Sequence, residues 1–133
     1  EGGILSYLAD IDRSNNPYEV GLEWMVDLDQ ADDFIGKDAL QEISLKGPER
    51  KLLGAEIQGD PITVFNEESW PVLIDGKRVG SMNAVVYSPR LNKNICYVIL
   101  EVEHAKQGQE VVIHSPDKEL IATTVGLPWI NRG

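Results

Sequence analysis

The segment from residue 71 to residue 97 constrains the fold of this chain more than any other. It consists of an apolar run, the pair Asp75-Gly76, a second run, the corner Ser88-Pro89 and a third, strongly apolar run. Asp-Gly is a preferred pair for a two-residue hairpin turn, because both of its central residues adopt positive φ. The segment therefore predicts a hairpin followed by a further strand, and hence a β-rich domain.

Short strand candidates continue on both sides of this hairpin, at regular spacing after Pro48. Short strands separated by turns that contain Gly, Pro or Asp are typical of antiparallel barrels and sandwiches. We therefore predict a mainly β fold, a small antiparallel six-stranded barrel of Greek-key or jelly-roll type. The candidate strands cover 50–57, 72–74, 77–79, 80–87, 94–102, 110–114 and 119–125.

Residues 1–46 are less regular, and we predict a short α+β segment ahead of the barrel. Apolar residues at helical spacing, ended by Gly47-Pro48, predict a helix over 37–45. The pattern of residues 18–26 predicts a short helix that runs into a strand. Since the chain starts without a methionine, we expect it to be cut from a longer protein.

The charge and composition of the chain exclude several classes of function. Its net charge of -10 repels phosphate backbones, which argues against a nucleic-acid-binding protein. No run approaches the roughly 18 apolar residues of a membrane span, and no secretory signal is visible. Cys96 is the only cysteine and lies in an apolar run, so we expect a buried, inert thiol. These features predict a cytoplasmic protein that does not bind membranes.

Metal ligands are not predicted anywhere in the chain. His104 and His114 lie ten residues apart, and neither has a Cys or His partner at ligand spacing. The four aspartates between residues 27 and 33 invite a calcium interpretation, but an EF-hand needs Glu at its twelfth position. That position is Asp38, and we therefore interpret the acidic stretch as a solvated loop.

Five motifs, in the same order and across nearly the whole chain, resemble the glycine cleavage T-protein family of aminomethyltransferases. The family includes folate-dependent relatives such as dimethylsulfoniopropionate demethylase. The first motif is Glu1–Trp24, which contains Tyr7, Asp10, Asp12 and Asn16-Pro17. The other four are Asp33-Phe-Ile-Gly-Lys-Asp-Ala-Leu40, Arg50-Lys-Leu-Leu-Gly54, Tyr87-Ser-Pro-Arg-Leu-Asn-Lys-Asn-Ile95 and Leu127-Pro-Trp-Ile130.

This resemblance implies a division into two parts. Residues 1–46 are similar to the end of the family's folate-binding domain, and 47–133 to its C-terminal barrel domain. The parent protein would transfer a one-carbon unit from a small methyl or aminomethyl donor to tetrahydrofolate. The family's catalytic aspartate lies outside this chain, in N-terminal domains that would be its partners, so we expect no catalytic residue here and no activity from this chain alone.

The resemblance also implies three cofactor-binding residues: Glu1, Tyr7 and Arg90. The family glutamate that binds the pterin ring corresponds to Glu1, and a carboxylate suits this task because it accepts two parallel N–H bonds. Arg90 stands where the family usually has Thr, and Asn92 where it usually has Gly, so the donor remains open. Judged without the family, Arg90 is either a functional residue or a surface charge.

Two alternatives to a transferase parent stay open. One is a non-catalytic folate-binding or interaction module, and the other is the barrel of a multidomain sarcosine or dimethylglycine oxidase. In each case we expect an exposed apolar patch where neighbouring domains would pack, and a homodimer of the chain is one way to cover it.

Overall fold

A closed antiparallel β-barrel dominates the computed structural model, which describes residues 1–130. The predicted second domain, 47–133, therefore has its last three residues outside the described part. The strands are β1 (Arg50–Ile57), β2 (Trp70–Ile74), β3 (Lys77–Ser88), β4 (Lys93–Glu101), β5 (Glu110–His114) and β6 (Glu119–Val125). The predicted mainly β fold with a six-stranded antiparallel barrel is confirmed, and the segment before it, predicted as α+β, contributes one short helix and no strand.

The order of the strands around the barrel is β1-β4-β3-β2-β5-β6, and β1 closes it by pairing with β6. Strands β2, β3 and β4 form a meander, and β1 lies beside β4. This is the strand order of a Greek key in which the long connection comes first along the chain, between β1 and β2. The predicted turn at Asp75-Gly76 joins β2 to β3, and both residues have positive φ, at 49° and 75°.

Two of the predicted elements differ from the observed ones. Residues 80–87 do not form a separate strand, because Gly80 lies inside the continuous strand β3. A Cβ at Gly80 would lie 2.0 Å from the carbonyl oxygen of Ile99, so this glycine permits a close approach of β3 to β4 instead of marking a strand end. Residues 18–26 contain only a 3₁₀ turn, Glu23–Met25, and no strand follows it within this range.

The one α-helix among the described residues, α1 (Lys37–Lys46), agrees with the helix predicted over 37–45. Gly36 precedes it as the N-cap and Gly47 follows it as the C-cap, and both have positive φ. A second 3₁₀ turn, Val102–His104, follows β4. Within residues 1–130, these helical elements lack the length and apolar character that a membrane-spanning helix requires.

Alternate residues of the strands fill the barrel interior. The inward side chains of β1 and β4 belong to one cluster with those of the other strands, which makes the barrel a packed core rather than a pore. Its fully buried members include Val72, Val79, Met82, Val98, Leu100 and Ile113.

A second apolar cluster lies outside the barrel, on the outer face of β1 and β4. Residues 1–22, which we call the N-terminal segment, cross this face and pack on it. The buried members are Val20, Leu52, Tyr97 and Ile99, joined by Leu5, Ile11, Leu22, Leu127 and Trp129. The N-terminal segment is therefore joined to the barrel through this second cluster, which lies apart from the barrel core.

An ion pair between the buried Glu19 and the partly exposed Arg50 fixes the end of the N-terminal segment to the barrel. Both carboxylate oxygens of Glu19 accept hydrogen bonds from the guanidinium of Arg50, at 3.2 and 3.1 Å. The backbone N–H of Leu52 also donates to the carbonyl of Glu19 at 2.7 Å. Because Glu19 is only 5 % exposed, this two-point geometry supplies the charged partner that a buried carboxylate needs.

The long connection between β1 and β2, residues 58–69, is held by one buried side chain, Asn94 of β4. The Asn94 Oδ1 accepts from the backbone N–H of Ile62 at 2.7 Å, and its Nδ2 donates to the carbonyl of Asp60 at 2.9 Å. Asn94 is 1 % exposed, so no solvent replaces these bonds if the amide is removed.

Replacing Asn94→Ala should lower the free energy of unfolding by about 1–3 kcal/mol, because a backbone donor and a backbone acceptor lose their partner. Urea denaturation followed by circular dichroism measures this loss. The matched control is Gln58→Ala, an exposed amide in the same connection, which should change the free energy of unfolding by less than about 0.5 kcal/mol. Equal effects of the two substitutions would contradict the assigned role of Asn94.

Replacing Gly54→Ala should destabilise the protein by about 1–3 kcal/mol through overpacking. A Cβ at Gly54 would lie 2.7 Å from the Trp129 ring and 3.0 Å from Val125. The cost of Gly54→Ala should fall by about 1 kcal/mol or more in a Trp129→Leu background, and a double-mutant cycle of unfolding free energies measures this coupling. The same cost in both backgrounds would show that the indole does not pack on Gly54.

Candidate functional site

A cleft of about 380 Å³ opens where the N-terminal segment meets the outer face of β3 and β4. We call it the outer cleft. Its floor is largely apolar and its carboxylates come from the N-terminal segment, so a flat ligand could contact both. The floor consists of Ala84, Val86, Ile95 and Tyr97, Ile4 and Phe65 form the walls, and Glu1, Asp10 and Trp129 also border it.

A β-bulge in β3 positions the N-terminal segment beside this floor. Met82 pairs with Val98 and Val85 with Cys96, which leaves one extra residue on β3 between the two pairs. The bulge turns Asn83 outward, where its Nδ2 donates to the carbonyl of Asp10 at 2.7 Å.

The carboxylate of Glu1 is held at the edge of the outer cleft by the Ser88-Pro89 corner. The buried hydroxyl of Ser88 donates to Glu1 Oε1. The same hydroxyl oxygen accepts the backbone N–H of Leu91 at 3.1 Å, so the hydroxyl is oriented by the corner itself. One oxygen of Glu1 is therefore used by the barrel, and the carboxylate keeps further acceptor capacity.

Tyr97 and Asp10 form the polar part of the cleft beneath Ile4. The phenol of Tyr97 donates to the carbonyl of Ile4 at 3.2 Å, and Asp10 Oδ2 accepts the backbone N–H of Ser6 at 2.8 Å. Burial, reinforced by the negative charge of Asp10, raises the pKa of Tyr97. The phenol consequently stays neutral and remains a hydrogen-bond donor at physiological pH.

Trp129 closes the outer cleft on the side of β1. Its ring lies 5.3 Å from that of Tyr97 at an angle of 51°, a tilted aromatic pair. Its indole Nε1 is buried and has no hydrogen-bond partner among the described residues. A buried N–H without a hydrogen-bond partner lowers the stability of the fold.

Of the three residues that sequence reasoning assigned to a cofactor, only Glu1 borders the outer cleft in the structure. Tyr7 is exposed and sits in a tight turn, where its backbone forms an isolated bridge with Ile11. Arg90 is exposed at the corner that holds Glu1, but neither Tyr7 nor Arg90 borders the cleft. The fold thus brings Glu1 and the Arg90 corner together and leaves Tyr7 apart.

The cysteine, histidine and aspartate side chains singled out in the sequence lie outside the outer cleft. Burial raises the pKa of Cys96, whose thiol faces the barrel interior. His104 lies 3.4 Å from Glu103 and 4.0 Å from Glu101, and these three groups are close enough to share a cation. Sequence reasoning, which considered only Cys and His partners, did not include the two glutamates. The acidic stretch after Val26 is exposed, and Asp27 Oδ1 accepts backbone N–H groups of the stretch itself.

Sequence reasoning missed most of the residues that build the outer cleft. Ser88 and Trp129 lay within motifs that carried the family resemblance, but no spacing rule connects them with residue 1. Phe65 lies in the connection 58–69, for which no element was predicted. The only signal for Tyr97 was its place in a strand that is apolar at nearly every position, which indicates burial on both faces.

Comparison with known proteins identifies the family of the barrel. Residues 50–131 match the glycine cleavage T-protein C-terminal barrel domain. The chain is 37 % identical over 130 residues to an aminomethyltransferase of Herpetosiphon aurantiacus, and the aligned region covers 97 % of this chain and 35 % of that protein. It is 33 % identical over 117 residues to the dimethylsulfoniopropionate demethylase of Ruegeria pomeroyi, covering 88 % of this chain and 31 % of the relative.

A solved structure supports the fold independently of these sequences. The glycine cleavage system aminomethyltransferase T of Bartonella henselae superposes with a TM-score of 0.84 at 23 % identity, over 97 % of this chain and 36 % of that one. The chain spans about a third of the length of the relatives it matches. On the match of its barrel and the identity with these relatives, the chain belongs to the glycine cleavage T-protein family, in the region of that family's C-terminal barrel domain.

Proposed function

We propose that this chain is the C-terminal part of an enzyme that transfers a one-carbon unit from an amine or methylated donor to tetrahydrofolate. The observation that carries the proposal is the carboxylate of Glu1, which the buried Ser88 holds at the edge of an aromatic-lined cleft. Membership of a family whose matched relatives are an aminomethyltransferase and a demethylase supports the reaction class.

The outer cleft fits one end of a folate. A pterin ring is flat and presents adjacent N–H groups on one edge, which a carboxylate can accept in parallel. Apolar walls from Ile4 and Phe65 suit the faces of such a ring, and the volume of about 380 Å³ lies within the range of small-molecule sites.

The residues of this chain would orient the cofactor rather than react with it. Tetrahydrofolate, when bound, supplies the nitrogen nucleophile that accepts the one-carbon unit. Glu1 fixes the ring through hydrogen bonds, while Ile4 and Val86 exclude water from its faces. The group that assists the transfer is assigned by family resemblance to domains outside this chain, and the chain alone is therefore inactive under this proposal.

Tyr7 and Arg90 complete the proposed cofactor site only when further domains are present. Both side chains are exposed in the described structure, so neither is shaped by the barrel for a ligand. Under the proposal, residues 1–46 end the folate-binding domain and 47–133 form the barrel. The missing N-terminal domains then supply the opposite wall, which Tyr7 and Arg90 would face, in a cytoplasmic protein.

The donor is left open by the relatives themselves, since one is named for an aminomethyl group and the other for dimethylsulfoniopropionate. The two rivals, a non-catalytic folate-binding or interaction module and the barrel of an oxidase, share the same barrel. They differ in whether the complete protein transfers a one-carbon unit to tetrahydrofolate.

Calorimetric titration with tetrahydrofolate should show binding to the complete protein and at least 100-fold weaker binding to residues 1–133. The reason is that the outer cleft supplies one wall of the site and leaves the other face of a ring in solvent. A product assay for the one-carbon adduct of folate, run with amine and methylated donors, separates a transferase from a module that only binds. Tight binding by the 133-residue chain would contradict the divided site, and no binding by either would overturn the proposal.

Replacing Glu1→Gln in the complete protein should weaken tetrahydrofolate binding by about 10- to 100-fold, because a charge-assisted pair of hydrogen bonds becomes a neutral one. Ser88→Ala should weaken binding less, since the carboxylate remains but loses its orientation. The matched control is Glu110→Gln, an exposed carboxylate on β5, which should leave the affinity unchanged. Equal losses from Glu1→Gln and Glu110→Gln would remove Glu1 from the site.

A further inference from the structure

Phe65 forms a wall of the outer cleft although the connection that carries it, residues 58–69, contains no helix or strand. Its ring is 60 % exposed, so packing alone does not hold it in place. An exposed ring on an irregular connection needs a separate anchor if it is to keep one position.

The next residue, Asn66, supplies such an anchor. Its Oδ1 accepts the backbone N–H of Val85 in β3 at 2.9 Å, and its Nδ2 donates to the carbonyl of Glu68 at 2.8 Å. One end of the amide therefore binds the barrel and the other binds the connection itself. Because Val85 is only 2 % exposed, its N–H depends on this partner.

Asn66 occupies a place where β3 has no strand beside it. The pairing of β2 with β3 ends at Trp70 and Met82, and the bulge of β3 follows between Met82 and Val85. On the side of β2, the backbone of β3 beyond this point needs another hydrogen-bond partner. The side chain of Asn66 takes that role.

The bulge of β3 holds both walls of the outer cleft. Asn83 donates to the carbonyl of Asp10 at 2.7 Å and so holds the N-terminal segment, which carries the wall residue Ile4. Val85, two residues further along β3, holds the connection that carries Phe65. The distance between the two walls is therefore set by one strand and not by either of the irregular segments.

We propose that Asn66 is a positioning residue of the outer cleft and acts on the bound ligand through Phe65. Its bond to Val85 holds the Phe65 ring at the edge of the apolar floor, where the ring meets one face of the ligand. Asn66 itself does not border the cleft, so it does not act by touching the ligand. The identity of the ligand, tetrahydrofolate, rests on the proposed function, whereas the placement of Phe65 is a property of this chain alone.

Fluorine NMR of the 133-residue chain, labelled with para-fluorophenylalanine, tests the placement of the ring without any ligand. The chain has two phenylalanines, Phe34 and Phe65, so Phe34 is an internal control. Asn66→Leu removes the acceptor and should move the Phe65 signal toward its position in the unfolded chain, while the Phe34 signal stays in place. Asn66→Asp keeps an acceptor oxygen and should keep the Phe65 signal near its original position. Circular dichroism melting curves establish that each variant is folded.

Calorimetric titration of the complete protein tests the effect on the ligand. Asn66→Leu and Phe65→Ala should each weaken tetrahydrofolate binding by about 10-fold. The double variant should bind no more weakly than Phe65→Ala alone, because Asn66 acts only through the ring. The matched control is Gln58→Leu, an exposed amide in the same connection, which should leave the affinity unchanged.

Two results would overturn the proposal. One is a Phe65 fluorine signal that Asn66→Leu does not move, and the other is an additive loss of affinity in the double variant. A complete protein that binds no tetrahydrofolate before any substitution would instead overturn the proposed function. In that case the fluorine spectra would still decide whether Asn66 positions Phe65.

Discussion

Strand β4 is buried on both of its faces, and the remainder of the structure depends on this. Its inward residues Cys96, Val98 and Leu100 belong to the barrel core, and its outward residues Tyr97 and Ile99 belong to the second cluster. A barrel strand normally exposes one face to solvent. Here the outer face needs a cover, and the N-terminal segment provides it with the help of residues 127–129.

The outer cleft forms where the N-terminal segment stops covering the outer face of the barrel. The N-terminal segment packs over β1 and β4 but leaves the outward residues of β3, such as Val86, exposed. The cleft lies on this boundary, so its floor belongs to the barrel and its carboxylates to the segment. The Glu1–Ser88 contact joins the two parts, so the barrel orients the Glu1 carboxylate at the edge of the cleft.

The same boundary leaves the outer cleft open on one side, next to exposed apolar side chains. A ligand in the outer cleft would rest on Val86 and Tyr97 and remain open on its opposite side. Exposed apolar side chains such as Ile4 and Phe65 border this opening, and the carboxylates of Glu1 and Asp10 lie beside them.

Local patterns along the sequence determined the strands, the Asp75-Gly76 hairpin and helix α1, because alternation, turn residues and helical spacing act between near neighbours. They also determined that Cys96 is buried, since every neighbour in its run is apolar. The family motifs added Glu1, but not its partner. Only the tertiary structure decided that Glu1 meets Ser88 across 87 positions, that Gly80 continues a strand, and that Trp129 packs on Gly54. These contacts arise from the closure of the barrel and the path of the N-terminal segment over it, and such long-range packing leaves no periodic signal in the chain.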